Sequence, residues 1–153
     1  LCYLYWKNYN VPTVSLRYFT VYGPRQRPDM AIQKFVRAIL NDEEIAIFGD
    51  GTQTRDFTFI DDVVEANILA AEKDLAGGVF NVGGGSRVSI TDLIKLLEGT
   101  TGKKARIKYI EKQKGDVRDT LADTGKISGT GWEPKVKIEE GLREFVKWFR
   151  EGV

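Results

Sequence analysis

The 153-residue chain has no histidine, a single cysteine (Cys2), one methionine and four prolines. Without histidine there is no His-based triad and no imidazole general base. One cysteine supplies neither a disulfide partner nor, with histidine missing, a Cys/His cluster for zinc. Lys and Arg number 23 against 22 Asp and Glu, a formal charge of +1, so no basic excess exists to engage nucleic acid or an anionic membrane surface. No run of about 18 apolar residues occurs, which excludes a hydropathic membrane-spanning helix. What is present is core-forming material: 42% hydrophobic and 11% aromatic residues, enough at this length for one soluble domain. The opening Leu1-Cys2-Tyr3-Leu4-Tyr5-Trp6-Lys7 is neither a signal peptide nor a start methionine, and its amphipathic run is already under way, so the chain reads as a piece of something longer.

Apolar spacing organises the rest. Leu1, Leu4 and Tyr5 read as the last turns of a helix ending before Asn10 and Pro12, and Thr13–Phe19 is β-branched and aromatic enough for a strand. The loop Tyr22–Pro28 follows its C-terminal end. Asp29 is placed to cap a helix carrying Ile32, Phe35, Val36, Ile39 and Leu40. Ile45–Phe48, the turn Gly49-Asp50-Gly51 and Arg55–Phe59 read as a hairpin. Asp61 or Asp62 is placed to cap a helix through Ala71, Val79–Val82 is a strand, and Ser89-Ile90-Thr91-Asp92 has the form of a capping box opening another helix. Arg106–Ile110 alternates as a half-buried strand, and Ile138, Leu142, Phe145, Val146 and Phe149 mark a final helix. Alternating strands and helices make the fold class α/β, with loops after strands as the places for chemistry.

Asn81-Val82-Gly83-Gly84-Gly85 suggests a phosphate cradle, but G-x-G-x-x-G spacing is missing and a structural turn is the better reading. Tyr3-x-x-x-Lys7 has the spacing of a tyrosinate base with its lysine, a two-residue pattern that arises readily by chance on a helix surface. Arg17, Arg25, Arg27 and Arg55 fall in or beside post-strand loops, where a guanidinium forks onto phosphate or carboxylate oxygens; the alternative is a solvated, ion-paired surface. Asp56 is a strand-end partner. Asp116 accepts from a ribose diol or finishes a turn. The residues alone point to an anion-binding α/β face without a catalytic set.

Leu16-Arg17-Tyr18-Phe19-Thr20-Val21-Tyr22-Gly23-Pro24-Arg25-Gln26, then Ile47-Phe48-Gly49-Asp50-Gly51-Thr52-Gln53-Thr54-Arg55-Asp56-Phe57, Phe80-Asn81-Val82-Gly83 and Gly115-Asp116-Val117 resemble, in order, the NAD-dependent sugar-nucleotide epimerase/dehydratase family. These are the extended short-chain dehydrogenases typified by UDP-glucose 4-epimerase. The resemblance covers nearly the whole chain and implies the C-terminal half of such an enzyme. Residues 1–30 would be the tail of the dinucleotide-binding domain with its last sheet strand, and 31–153 a small mixed α/β sugar-nucleotide-binding domain with interleaved elements. The family's Gly-rich fingerprint and catalytic Tyr-x-x-x-Lys would lie before Leu1, and Tyr3 and Lys7 stand too near Tyr18 to be that pair. By resemblance, Tyr18 and Phe19 border the nicotinamide of NAD. Thr20 faces the sugar, the backbone of Ile47 and Phe48 lies against the base, Arg55 meets the diphosphate, and Asp116 holds the ribose hydroxyls. Gln113 stands where a basic residue is usual. Thr20 with Arg27 resembles the UDP-glucuronate 4-epimerase branch, in which these side chains meet the sugar carboxylate; Arg27 pairing with Asp29 is the other reading. The implied whole is a cytoplasmic epimerase using NAD on a UDP-sugar, homodimeric in many relatives, with this chain alone inactive. A 4,6-dehydratase, a UDP-glucuronate decarboxylase and a non-catalytic UDP-sugar-binding module are the alternatives.

Overall fold

Strand partners in this chain are distant in sequence. The computed structural model describes residues 1–152. In order, the elements are α1 (Cys2–Tyr9), β1 (Ser15–Tyr18), β2 (Val21–Tyr22), α2 (Ala31–Asn41), β3 (Glu44–Phe48), β4 (Thr54–Asp56) and β5 (Thr58–Phe59). There follow α3 (Ile60–Glu72), β6 (Val79–Val82), β7 (Arg87–Ser89), α4 (Ile90–Thr101), β8 (Arg106–Ile110), α5 (Gly125–Ser128) and α6 (Ile138–Glu151). β1 pairs β6, β2 pairs β5 and β3 pairs β8, all parallel, while β4 pairs β7 antiparallel.

The strand expected over 13–19 forms as the shorter β1, and a further short strand, β2, follows it. Phe19 N–H still donates to Val82 O at 2.9 Å, but Thr20 O accepts from Thr58 N–H at 2.9 Å, so the chain changes partner between β1 and β2. Thr20 sits at that change. The expected 45–59 hairpin does not form. Ile45 and Ile47 are buried in the core while Ala46 and Phe48 stay exposed, and β3 finds its backbone partner in β8 rather than across the turn. Neither is β8 half-buried: Ile107 and Tyr109 are exposed at its edge along with their neighbours.

Two apolar clusters hold the elements. The larger joins α2, β3, α4 and α6 around Tyr22, Ile39, Ile47, Leu93, Leu97 and Phe145. The smaller packs Val63 and Ala66 of α3 against Phe80, Val82, Ile127 and Trp132, with Leu16 and Val21 beside them. Gly141 in α6 exists for this packing, since a β-carbon there would overlap the Tyr22 hydroxyl. Burial, then the Asp62, Glu139 and Glu140 charges, push the Tyr22 phenol up and keep it neutral.

Helix starts are only partly as expected. The capping box is real, with Ser89 Oγ accepting from Asp92 N–H at 3.0 Å. Asp29 does not cap α2, whose N-cap is Met30, and Phe59 rather than either aspartate is the N-cap of α3. Asp61 and Asp62 occupy the first turn instead, favourable for the helix dipole. Asp62 is buried and accepts from Lys135 N–H at 2.9 Å and Val136 N–H at 3.2 Å, tying α3 to the segment before α6.

Candidate functional site

The C-terminal end of β3, strand β4, the junction at Thr20 and the segment after β8 border one cleft. This cleft, of about 220 Å³, is lined by Thr20, Phe48, Gln53, Arg55, Phe57 and Asp116, with Ala31, Phe35, Ala46, Ile47 and Ile90 completing its wall. A second cleft of about 300 Å³ continues past Phe48, Gln53 and Asp116 to Gly49, Asp50, Thr52, Lys112 and Arg118. Phe48, at 42% exposure, borders both. The residue that ends β3 is thus open to solvent.

Arg55 is the positive side chain lining the 220 Å³ cleft. Its Nη2 donates to Asp116 Oδ1 at 2.5 Å, and its Nη1 donates to Thr54 O at 2.8 Å and Arg118 O at 3.2 Å. The pair is neither fully buried nor free in solvent, with Arg55 at 19% and Asp116 at 32% side-chain exposure. Thr54 Oγ1 donates to Asp119 Oδ1 at 2.6 Å, which adds a second tie between β4 and the 112–119 segment. A guanidinium carries five donors in a planar fork, so the three in use leave capacity for a bidentate anion.

Next to Arg55 in β4 lies a buried carboxylate. Asp56 is wholly inaccessible and accepts from Gly84 N–H at 2.8 Å and Ala122 N–H at 2.9 Å. Burial pushes its pKa up, and the N–H groups of Ala122, Gly84 and Gly85 pull against that rise. Asp56 is thus the strand-end partner expected. The Gly83-Gly84-Gly85 turn serves it rather than a phosphate: a β-carbon on Gly84 would overlap the Phe57 carbonyl, and one on Gly83 would stand 2.6 Å from Asp56 Oδ2.

Of the residues singled out in the sequence, Thr20, Ile47, Phe48, Arg55 and Asp116 are brought together. Tyr18, Phe19, Arg27 and Gln113 do not line either cleft. Tyr18 ends β1 and donates its hydroxyl to Asn67 Oδ1 at 2.9 Å. Gln113 is exposed, its carbonyl accepting from Asp116 N–H at 3.3 Å. Arg27, at 76% exposure, pairs with Asp29 at 3.3 Å, as the second reading of that arginine expected. Arg17 and Arg25 are exposed and away from the clefts, so Arg55 is the one arginine of the four that lines the 220 Å³ cleft. Tyr3 and Lys7 lie on α1, Lys7 Nζ being 6.0 Å from the Trp6 ring, and take no part. Sequence reasoning overlooked Gln53, whose Nε2 donates to Phe48 O at 2.9 Å, although it lies inside a segment that carried the resemblance.

No group of three or more His, Cys, Asp and Glu placed to hold a metal occurs among the described residues. No helix among them is long and apolar enough to cross a membrane.

The chain has relatives among known proteins. Residues 1–83 match the model of the NAD dependent epimerase/dehydratase family. The UDP-glucuronate 4-epimerase of Thermodesulfobacterium geofontis is 45% identical over 155 residues, covering 100% of this chain and 48% of that protein. The crystal structure of UDP-glucuronic acid 4-epimerase from Bacillus cereus, in complex with UDP-glucuronic acid and NAD, superposes with a TM-score of 0.92 at 43% identity, over 98% of this chain and 49% of the other. The UDP-glucose 4-epimerase of Thermotoga maritima, solved with UDP-glucose, gives 0.91 at 42% identity over 97% of this chain and 49% of that one. The chain therefore spans about half the length of the curated relatives it matches, and the matched part is their C-terminal half.

Proposed function

The chain belongs to the NAD dependent epimerase/dehydratase family, and from that premise we propose that it is the sugar-nucleotide-binding half of a UDP-sugar 4-epimerase. The observation that carries this reading is the convergence of Thr20, Phe48, Arg55 and Asp116 on one cleft. In it the β3 backbone takes the base, Asp116 the ribose hydroxyls, Arg55 the diphosphate, and Thr20 the sugar. Residues 1–30 belong on this reading with the dinucleotide-binding domain and 31–153 with the sugar nucleotide.

NAD fits what the chain offers of its site. Parallel strands bind cofactors outside their C-terminal ends, and Tyr18 is half-exposed at the end of β1 with Phe19 next to it. The chain holds no Gly-rich fingerprint, so these two residues are its share of that site. Bound NAD supplies reversible hydride acceptance from sugar C4. The chain's own residues bind and orient: Arg55 clamps charge, Asp116 fixes the ribose, and Thr20 sets the sugar ring, work that removes rotational and translational freedom rather than moving protons. Asp116 and a diphosphate compete for Arg55, whose unused fork positions allow both to be held.

The sugar we propose is a hexuronate. Arg27 lies outside the cleft, four positions before Ala31 of its wall, and its exposed pair with Asp29 is worth little, so exchanging that carboxylate for a sugar carboxylate costs little. Homologues carrying UDP-glucuronic acid support the assignment.

The test is an epimerase assay on the full-length protein with UDP-glucuronate and UDP-glucose. Interconversion of UDP-glucuronate and UDP-galacturonate is expected, with none from residues 1–153 alone. Release of a 4-keto-6-deoxy sugar or of carbon dioxide would assign the protein to the dehydratases or decarboxylases instead.

A further inference from the structure

The edge of β3 bears a row of hydrogen-bonding groups with a definite order. Gly49 N–H donates to Ile110 O at 2.9 Å, so the backbone groups of Ile45, Ile47 and Gly49 face β8. In a parallel ladder alternate residues turn their N–H and C=O to opposite sides, so those of Ala46 and Phe48 face the other edge. No strand pairs with that edge among the described residues, and both clefts open beside it. The Phe48 carbonyl accepts from Gln53 Nε2 at 2.9 Å. The backbone of Gln53 is itself held, its main-chain carbonyl accepting from Ile90 N–H at 3.2 Å at the start of α4.

A carboxamide nitrogen has two protons and a peptide carbonyl two lone pairs. With one proton of Gln53 on Phe48 O, a second donor and a second lone pair are left at the same place. The Phe48 N–H, the Phe48 C=O and the Gln53 NH₂ then read donor, acceptor, donor. The imide edge of uracil reads acceptor, donor, acceptor. Cytosine reads acceptor, acceptor, donor, and would set a ring-nitrogen lone pair against the Phe48 carbonyl. A site built to hydrogen-bond a group rejects strongly an analogue that leaves its polar atoms unpaired.

We propose that the Gln53 carboxamide is a specificity-determining group that selects imide-bearing pyrimidine nucleotides over cytidine nucleotides at the β3 edge. The proposal rests on the nucleotide-sugar reading above, and adds a residue and a chemical criterion to it. Gln53 supplies one hydrogen bond to the base directly and orients the Phe48 carbonyl that supplies another.

The experiment is calorimetric titration of the full-length protein with UDP, CDP and inorganic pyrophosphate, in the wild type, Gln53→Met and Gln53→Glu. Met keeps the length and removes the donor; Glu keeps the size, replaces the donor by an acceptor and adds a negative charge. The wild type is expected to favour UDP over CDP. Both variants are expected to lose about tenfold of that ratio, the worth of about one hydrogen bond, with pyrophosphate affinity unchanged in Gln53→Met and lowered in Gln53→Glu, whose added charge stands in the cleft with Arg55. A UDP/CDP ratio that stays at the wild-type value in both variants, or UDP and CDP weakening equally, overturns the proposal while leaving the functional reading intact. A wild type that binds UDP no better than pyrophosphate overturns the functional reading, and this inference with it.

Discussion

Gly84 donates its backbone N–H to Asp56 Oδ1 at 2.8 Å from a position that has no room for a side chain, because a β-carbon would overlap the carbonyl oxygen of Phe57. The closeness that forms the bond is the closeness that requires glycine. Gly84→Ala is therefore expected to push the turn off β4 and destabilise the protein by about 2 kcal/mol, the upper part of the usual range for overpacking and a lost hydrogen bond. Asp56→Asn keeps the volume but turns an amide N–H toward one of the two facing N–H groups, costing about 1–3 kcal/mol. Chemical denaturation of both variants checks this, and wild-type midpoints would contradict it.

Gly141 lies inside α6, where alanine is ordinarily better by about 1 kcal/mol. Here a β-carbon would meet the Tyr22 hydroxyl and stand 2.7 Å from the Phe59 ring, both deep in the larger core. Overpacking wins on magnitude, and Gly141→Ala is expected to lose about 1–2 kcal/mol net. Adding Tyr22→Phe removes the oxygen that is struck, so the double variant should recover part of the loss, a coupling visible in a double-mutant cycle.

The start of α4 is expected to respond to acid. Hydrogen bonds from the Lys95 ammonium and the Ser89 hydroxyl hold the Asp92 carboxyl below its ordinary value. A carboxyl depressed by folding stabilises the folded state above the unfolded-chain pKa, about 3.9, and that contribution disappears as pH falls through the lower folded value. Asp92→Asn should abolish this acid-dependent loss, and Ser89→Ala should cost about 1 kcal/mol at neutral pH. Carboxyl carbon shifts followed by NMR from pH 6 to 2 measure the titration of Asp92 itself.

Arg55 joins ligand capacity to loop order. Arg55→Ala is expected to weaken UDP binding by about 1.5–3 kcal/mol, as for a charge-assisted hydrogen bond. It also removes the donors to Asp116 and to Arg118 O, so amide exchange in residues 112–119 should quicken even without nucleotide. Unchanged UDP affinity by calorimetry would take Arg55 out of the site, and unchanged exchange would remove its role in the loop.

Local signals were legible in the sequence and distant ones were not. The Ser89 box and the α6 stripe announce themselves because their determinants lie within four residues of one another. The misread hairpin shows the limit: two strands flanking a Gly-Asp-Gly turn look paired, but β3 joins β8 and β4 joins β7. Strand partners are settled by burial of Ile45 and Ile47, not by the turn between. Likewise Asp62 looks like a cap because of where it sits in the sequence, yet its acceptors serve amides over 70 residues away. At the site, Thr20, Phe48, Arg55 and Asp116 were reached through motif resemblance, and their residue types alone said only that an anion was wanted. Gln53 escaped because its partner is a backbone carbonyl, which leaves no side-chain pattern to read.

The parallel pairing of β3 with β8 also fixes an order of events. Arg55 meets Asp116 across 61 positions, and the cleft draws on residues from Thr20 to Asp116. Contacts of such span close slowly, since loop entropy must be overcome before any of them contributes. On the ribosome, α2 and β3 emerge with an unpaired edge, and the cleft is complete only once β8 and Asp116 have followed. Completion of the cleft is thus a late event in synthesis, and on the proposed reading nucleotide binding would report that the segment through Asp116 has docked.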